Sequence, residues 1–247
     1  MIYMNSFDEN AKRYPSLYGI SPRLYSATHI LIERSKNLAF QAKYIRYMAK
    51  PSDYINNNIR HEFAPIYDRL QENTERLKDT LRCPIEWAID RPGGELIYAM
   101  VRQNKPNIVL ETGIANGASS FIILSALNKN RKGNLISTEV RKNTGQLVLC
   151  DKKRWHTYIG NPKTIFKKAL SKLNYIDIFI HDSNHSYSTM LYEYTRVVPK
   201  LSKNGIIMSD DVSGNKAFME LSTRIKRRPV LFKLRYREFG LIELNRQ

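Results

Sequence analysis

Apolar residues recur at spacings of three and four through HILIERSKNLAFQAKYIRYMA (29–49) and PIYDRLQENTERLKDTL (65–81), the period of amphipathic helices. A break follows around residues 83–94, and beyond it the period alternates. ELIYAMVRQ reads as a helix, NIVLET as a buried strand, ASSFIILSALN as a helix and NLISTEV as a strand. WHTYIG, IDIFIH and GIIMSD continue the strands, with PKTIFKKALSKL and TMLYEYTRVVPKL as the helices between them. Short apolar runs separated by helices need crossover connections, which give a parallel sheet covered on both faces. The last segment departs from this rhythm. PVLFKLRY and FGLIELN are separated by little more than Arg237 and Glu238, too little for a helical crossover, so one of them runs antiparallel to its neighbour. The pattern predicts an α/β, doubly wound, mostly parallel sheet with an antiparallel last strand in residues 83–247, preceded by a helical accessory segment over 1–82.

Bulk properties narrow the setting. A chain of 247 residues suits one catalytic domain with an accessory segment. No apolar run reaches the ~18 residues of a membrane span, and the opening MIYMNSFDENAKRYP carries acidic residues where a signal peptide would be apolar. A soluble, cytoplasmic protein without membrane insertion is expected. Cys83 and Cys150 stand alone, without a CxxC or Cys/His cluster, so neither a disulfide framework nor a zinc site is supported. The formal charge is +17. Residues 1–80 hold 12 Lys/Arg against 9 Asp/Glu, so +14 of it lies downstream, concentrated in the stretches RKNTGQLVLCDKKRWHTYIGNPKTIFKKALSK and RIKRRPVLFKLRYR. Such bases either line solvated faces or receive an anionic substrate, a nucleic acid or a membrane surface.

The candidate chemistry lies at strand ends. VLETGIANGASS joins the first strand of the alternating region to its helix, and Glu111, Gly113 and Gly117 form an acidic-x-Gly-x-x-x-Gly pattern. Glycines permit a tight turn and close approach of a ligand to a helix start. The spacing is neither the GxGxxG of dinucleotide binders nor a P-loop. Glu139 ends the next strand, where a carboxylate would bind ribose hydroxyls, and Gly160 and Asn161 follow the third. All three features reach the carboxyl edge of the sheet, where ligands of open α/β folds sit. Asp182 closes IDIFIH, and Asp210 and Asp211 close GIIMSD; together they supply three hard oxygen donors for Mg2+ or another divalent ion. The alternative is that one or two of the three cap helices or pair with the many nearby bases, with Asp211, before VSGN, as the first candidate for a cap. His185 follows Asp182 by three residues and is the candidate general base. His181 points elsewhere by strand alternation and is read as a core or supporting residue.

With these motifs in order, residues 90–247 resemble class I S-adenosylmethionine-dependent methyltransferases, especially metal-dependent O-methyltransferases of the catechol and macrolide-sugar type. The resemblance implies a Rossmann-like sheet of seven strands, with S-adenosyl-L-methionine and a divalent cation, Mg2+ first, as cofactors. Glu111, Gly113, Gly117, Glu139, Gly160, Asn161 and Asp182 fall to the cofactor, Asp182, Asp210 and Asp211 to the metal, and His185 to catalysis. PKLSKNGIIMSDDV is similar to the family's "LKPGG…DD" turn and strand, with Asn204 in place of one glycine; Ala115 stands where the loop commonly has another. The implied reaction is methylation of a hydroxyl on a small molecule or sugar.

Two further readings stay open. The basic surface suits a nucleic-acid acceptor, although no NPPY-like motif is present: GNPK at 160–163 follows the third strand, not the fourth. A non-catalytic binding protein on the same scaffold is the other. The segment 1–82 is expected to form a lid or a homodimer surface, and Tyr14, Tyr18, Tyr25, Tyr44, Tyr47 and Tyr54 within it are read as packing residues.

Overall fold

The computed structural model describes residues 39–150, 152–235 and 237–245. The chain divides into two compact units, Met1–Ile45 and Arg46–Gln247. In the first, Tyr44 N donates to Phe40 O at 3.0 Å within a helical turn; the helix expected over 29–38, Tyr14, Tyr18 and Tyr25 lie outside the described residues. The boundary expected at 82/83 falls inside the second unit.

Among the described residues, the second unit contains one sheet of eight strands, not seven. They are β1 (Met48–Ala49), β2 (Ile108–Thr112), β3 (Asn134–Glu139), β4 (Trp155–Ile159), β5 (Ile176–His181), β6 (Leu201–Ser209), β7 (Val230–Lys233) and β8 (Glu238–Glu243). The order across the sheet is β1-β7-β8-β6-β5-β2-β3-β4. Every pairing is parallel except those of β8, which runs antiparallel between β6 and β7. The additional strand, β1, lies where helical spacing continued through residue 49. Pro51 is incompatible with continuing that helix, and the open backbone of β7 accepts Met48 and Ala49 opposite Leu231 and Phe232.

Six helices cover the faces: α1 (Asn57–Leu77), α2 (Arg91–Asn104), α3 (Ala118–Asn130), α4 (Pro162–Ser171), α5 (Tyr187–Val197) and α6 (Ala217–Arg224). α1 starts eight residues before the Pro65 at which helical spacing was first legible. The Asn56 side chain caps it by accepting from Ile59 N, and Ile59, Phe63 and Leu70 are buried along it. That burial outweighs the ~3 kcal/mol an interior proline costs. Val109, Leu110, Ile178, Ile180, Ile206 and Met208 fill the middle of the sheet and are nearly or fully buried, as both-face coverage requires. Tyr54 packs edge-on against Phe232, its ring centroid 5.1 Å away.

Register brings the chemistry together. Thr112 pairs with His181 and His181 with Ser209, so the last residues of β2, β5 and β6 stand side by side. The residues one step beyond them, Gly113, Asp182 and Asp210, therefore emerge at one level. Asp182 N donates to Thr112 O and Asp210 N to His181 O, each at 2.9 Å. Because β8 runs the other way, it begins at the edge where the parallel strands end, and Arg237, just before it, is delivered to the same place.

Candidate functional site

The glycine loop is shaped by its neighbours. Gly113 has φ +89°, and a Cβ there would lie 1.9 Å from Asp182 O, so the close approach of β2 and β5 excludes any side chain. Ala115 holds a left-handed φ of +46° without being glycine. Asn116 ties the loop to the chain upstream: its Oδ1 accepts from Arg82 N (3.1 Å) and Cys83 N (3.0 Å), and its Nδ2 donates to Cys83 O (2.7 Å). This holds residues 84–89 beside the loop, and a cleft forms between them. Pro84, Trp87, Ala88 and Ile89 line one wall, residues 114–119 line the other, and Asp182 completes it.

The two glutamates of this end are committed to the protein. Glu111 is fully buried; Ser119 and Ser120 hydroxyls donate to its two oxygens at 2.6 Å each, and Ser137 adds a third bond at 2.8 Å. Burial pushes its pKa up, and the three hydroxyls oppose the push. Glu111, expected to contact the cofactor, joins α3 and β3 behind the loop through these bonds. Glu139 Oε2 accepts from Ile114 N (3.0 Å) and Ala115 N (2.9 Å), and Oε1 from Arg141 N (2.9 Å). Gly160 N donates to Glu139 O, and Asn161 caps α4 by accepting from Thr164 N. Of the seven residues assigned to the cofactor, Gly117 and Asp182 line the cleft; Glu111, Gly113, Glu139, Gly160 and Asn161 do not. Sequence reasoning missed Trp87, whose ring carries the Arg141 guanidinium 4.9 Å from its centroid at the cleft mouth.

At the other end, ligand atoms of Asp182, His185 and Asp210 lie within 4.8 Å of one another. Asp211, expected as a metal ligand, is not in this group. It adopts φ +48°, and its Oδ2 lies 3.4 Å from His185 Nδ1. Nor is it a helix cap, since α6 begins after Lys216. His185 Nε2 faces Asp182 Oδ1 at 3.6 Å. Burial alone would depress the His185 pKa, but the facing carboxylates of Asp182 and Asp211, with the charge of Asp210, push it up to about 10. Burial and the Asp210 charge push Asp182 up to about 7, against the pull of His185.

Asp210 is fully buried and its Oδ2 receives Arg237 Nη1 at 2.5 Å. Its Oδ1, like His185 Nε2, is buried without a hydrogen-bond partner among the described residues. His181 lies beneath, buried as alternation predicts. Its Nδ1 is 2.7 Å from Glu193 Oε2, which also accepts from Thr112 Oγ1 (2.7 Å), while Ser183 Oγ donates to Glu193 Oε1 (2.9 Å). This network fixes the turn that carries Asp182 and His185.

Residues 110–212 match a family described as "Methyltransferase domain", a stretch from β2 to just past β6 that includes the glycine loop and the acidic edge. No curated protein matches the sequence. Solved structures share the fold. The O-methyltransferase TomG from Streptomyces achromogenes, in complex with SAM, is 15% identical over 71% of this chain and 88% of its own, with a TM-score of 0.57. An O-methyltransferase from Bacillus cereus, in complex with SAH, is 12% identical over 71% of this chain and 89% of its own, also at 0.57. The SAH-bound Podospora anserina methyltransferase PaMTH1 is 16% identical over 71% and 87%, at 0.55. Residues 110–212 are therefore similar to a methyltransferase domain, and the chain shares its fold with these O-methyltransferases.

Proposed function

We propose that the protein transfers a methyl group from S-adenosylmethionine to a hydroxyl oxygen of a small molecule or sugar, with a divalent cation, Mg2+ first, assisting. The observation that carries this reading is that Asp182 belongs both to the cleft over the glycine loop and to the acidic cluster. A cofactor in the cleft and an acceptor at the cluster would meet across one residue.

The donor set fits a cation. Two carboxylates and an imidazole converge, and Asp210 Oδ1 is a buried acceptor with nothing donating to it among the described residues. Three carboxylates, Asp182, Asp210 and Asp211, stand against one guanidinium. We assign Asp182 and Asp210 as ligands and leave Asp211 to orient His185 through Nδ1. When bound, the cation supplies charge that lowers the acceptor's pKa, and the sulfonium cofactor supplies an electrophilic methyl group. His185 Nε2 takes the hydroxyl proton. While the carboxylates are unneutralised, they favour the imidazolium, which has no lone pair to offer; a cation at Asp182 and Asp210 would remove their share of that push and leave the share of Asp211. Gly117 and Ala118 offer backbone at the start of α3, and Trp87 and Ile114 offer apolar surface on the two facing walls, for the cofactor. Glu139 retains about one of a carboxylate's four lone-pair positions for a ribose hydroxyl.

Calorimetric titration of S-adenosylmethionine with and without Mg2+, followed by methyl transfer to a panel of hydroxylated acceptors, tests the proposal. Binding and transfer that chelator abolishes are expected. Transfer unaffected by chelator removes the cation, and no binding in either condition removes the reaction. A nucleic-acid acceptor is favoured by one observation: residues 140–172 carry nine Lys/Arg against one acid. Steeply salt-dependent RNA or DNA binding would support it, and none at low salt would exclude it.

A further inference from the structure

The acidic edge carries one fixed cation that the proposed reaction does not use. Arg237 donates through Nη1 to Asp210 Oδ2 at 2.5 Å and through Nη2 to Glu86 O at 3.2 Å. Glu86 adjoins Trp87 of the cleft wall, and Arg235 N donates to Asp90 Oδ2 at 2.9 Å just beyond it. The short β7–β8 connection is thus anchored on both sides, and the guanidinium is held in place. Asp210 is 1% exposed, so water does not screen the pair as it would at a surface.

We propose that Arg237 is the resident counter-cation of the carboxylate cluster, neutralising Asp210 through one oxygen and thereby weakening the site's hold on a divalent ion. The inference rests on the reading of Asp182 and Asp210 as cation ligands. An ion held by those two residues shares Asp210 with the guanidinium. Oδ2 is taken, Oδ1 is the remaining donor, and two like charges bound to one carboxylate repel across a few ångströms of low-dielectric interior. A cation site built this way exchanges its ion instead of holding it permanently, and it stays assembled between occupancies because Arg237 keeps Asp210 paired.

Calorimetric titration of Mn2+ into the unaltered protein, Arg237→Gln and Arg237→Lys tests this, with an S-adenosylmethionine titration of each to verify the fold. Arg237→Gln is expected to bind Mn2+ at least about fivefold more tightly, and Arg237→Lys, which keeps the charge, to stay within about twofold of the unaltered protein. A merely structural arginine would instead lower Mn2+ affinity in both variants. Equal or weaker Mn2+ binding by an Arg237→Gln protein that still binds S-adenosylmethionine overturns the counter-cation and leaves the ligand assignment standing. If none of the three binds Mn2+ while all bind S-adenosylmethionine, the ligand assignment falls and the counter-cation with it. Should Arg237→Gln not fold, the guanidinium N–H resonances of Arg237 in the unaltered protein decide. They are expected to shift as Mg2+ is added, and resonances that stay fixed at saturating Mg2+ overturn the proposal.

Discussion

The carboxylates at the ends of β2 and β3 and those at the ends of β5 and β6 stand at the same edge of one sheet, yet their environments are opposite. Glu111 and Glu139 receive six hydrogen bonds between them, all from hydroxyls and amides of the loop, α3 and β3 and its exit. Asp210 keeps one buried oxygen without a hydrogen-bond partner among the described residues, and Asp182 and Asp211 share a single imidazole at 3.4–3.6 Å. Glu111 is complete without a ligand and Glu139 nearly so, and the pair holds the loop in shape. The second set is underfilled, and a buried acceptor without a donor, such as Asp210 Oδ1, is a place where an ion or water would be expected. A strand-end acid is therefore no more than a position; its hydrogen-bond complement decides whether it supports the site or acts in it.

The contrast is broken or sharpened by substitution at each end. Asp182→Ala should lower methyl transfer by at least about 10³-fold, the scale of removing an electrostatic element from an active site, while leaving the folded protein intact; initial rates alongside thermal melts would show it, and a loss of tenfold or less would merge the two classes. Glu111→Ala should do the reverse. Three serine hydroxyls lose their acceptor in the core, at a cost of about 3 kcal/mol in urea unfolding, and any activity loss should track the unfolded fraction.

Protonation should separate the two ends as well. His185 is pushed up to about 10 from its ordinary 6.5, and Asp182 up to about 7 from 3.8. For both, the folded state holds its proton more tightly than the unfolded state. His185 thus contributes stability that is fully present below pH 6.5 and lost as pH rises towards 10; for Asp182 the loss runs from pH 3.8 to about 7. The metal-free protein should accordingly melt several degrees lower at pH 9.5 than at pH 6.5, at about 2–4 °C per kcal/mol, and His185→Gln should flatten that slope. A slope unchanged in His185→Gln would place its origin elsewhere. The smallest effect belongs to the loop. Ala115→Gly relieves a left-handed alanine, worth about 1 kcal/mol before the entropy of the added glycine is subtracted, and should raise the melting temperature slightly.

Much of this architecture was legible in the chain because it is local. Alternating apolar runs specify the parallel strands, the short link at Arg237 and Glu238 requires an antiparallel pairing, and strand register brings Asp182 and Asp210 to one level. What escaped reading depends on contacts distant in sequence. Asn116 ties the loop to Cys83, which places Trp87 at the cleft; Asp210 meets a guanidinium that follows it by 27 residues; β1 exists only because β7 offers an open edge. The hydrogen-bond complement of Glu111 escaped for another reason. Its serine partners at 119 and 120 were visible in the motif, but nothing in their spacing tells a hydroxyl that solvates a carboxylate from one that faces water. The expectations for the amino-terminal lid and dimer surface fall on residues 1–82, of which 1–38 lie outside the described part.

The position of β8 bears on how the protein is made. It is synthesised after both β6 and β7 and yet lies between them. During translation those two strands cannot pair with each other without blocking the place of the strand still to come, so a slot must stay open in the nascent sheet until the final hairpin closes it. Arg237 enters with that hairpin. The growing chain carries its acidic edge without the Arg237 counter-charge until that hairpin has been made, and the charge balance of the site is set in the same event that seals the sheet.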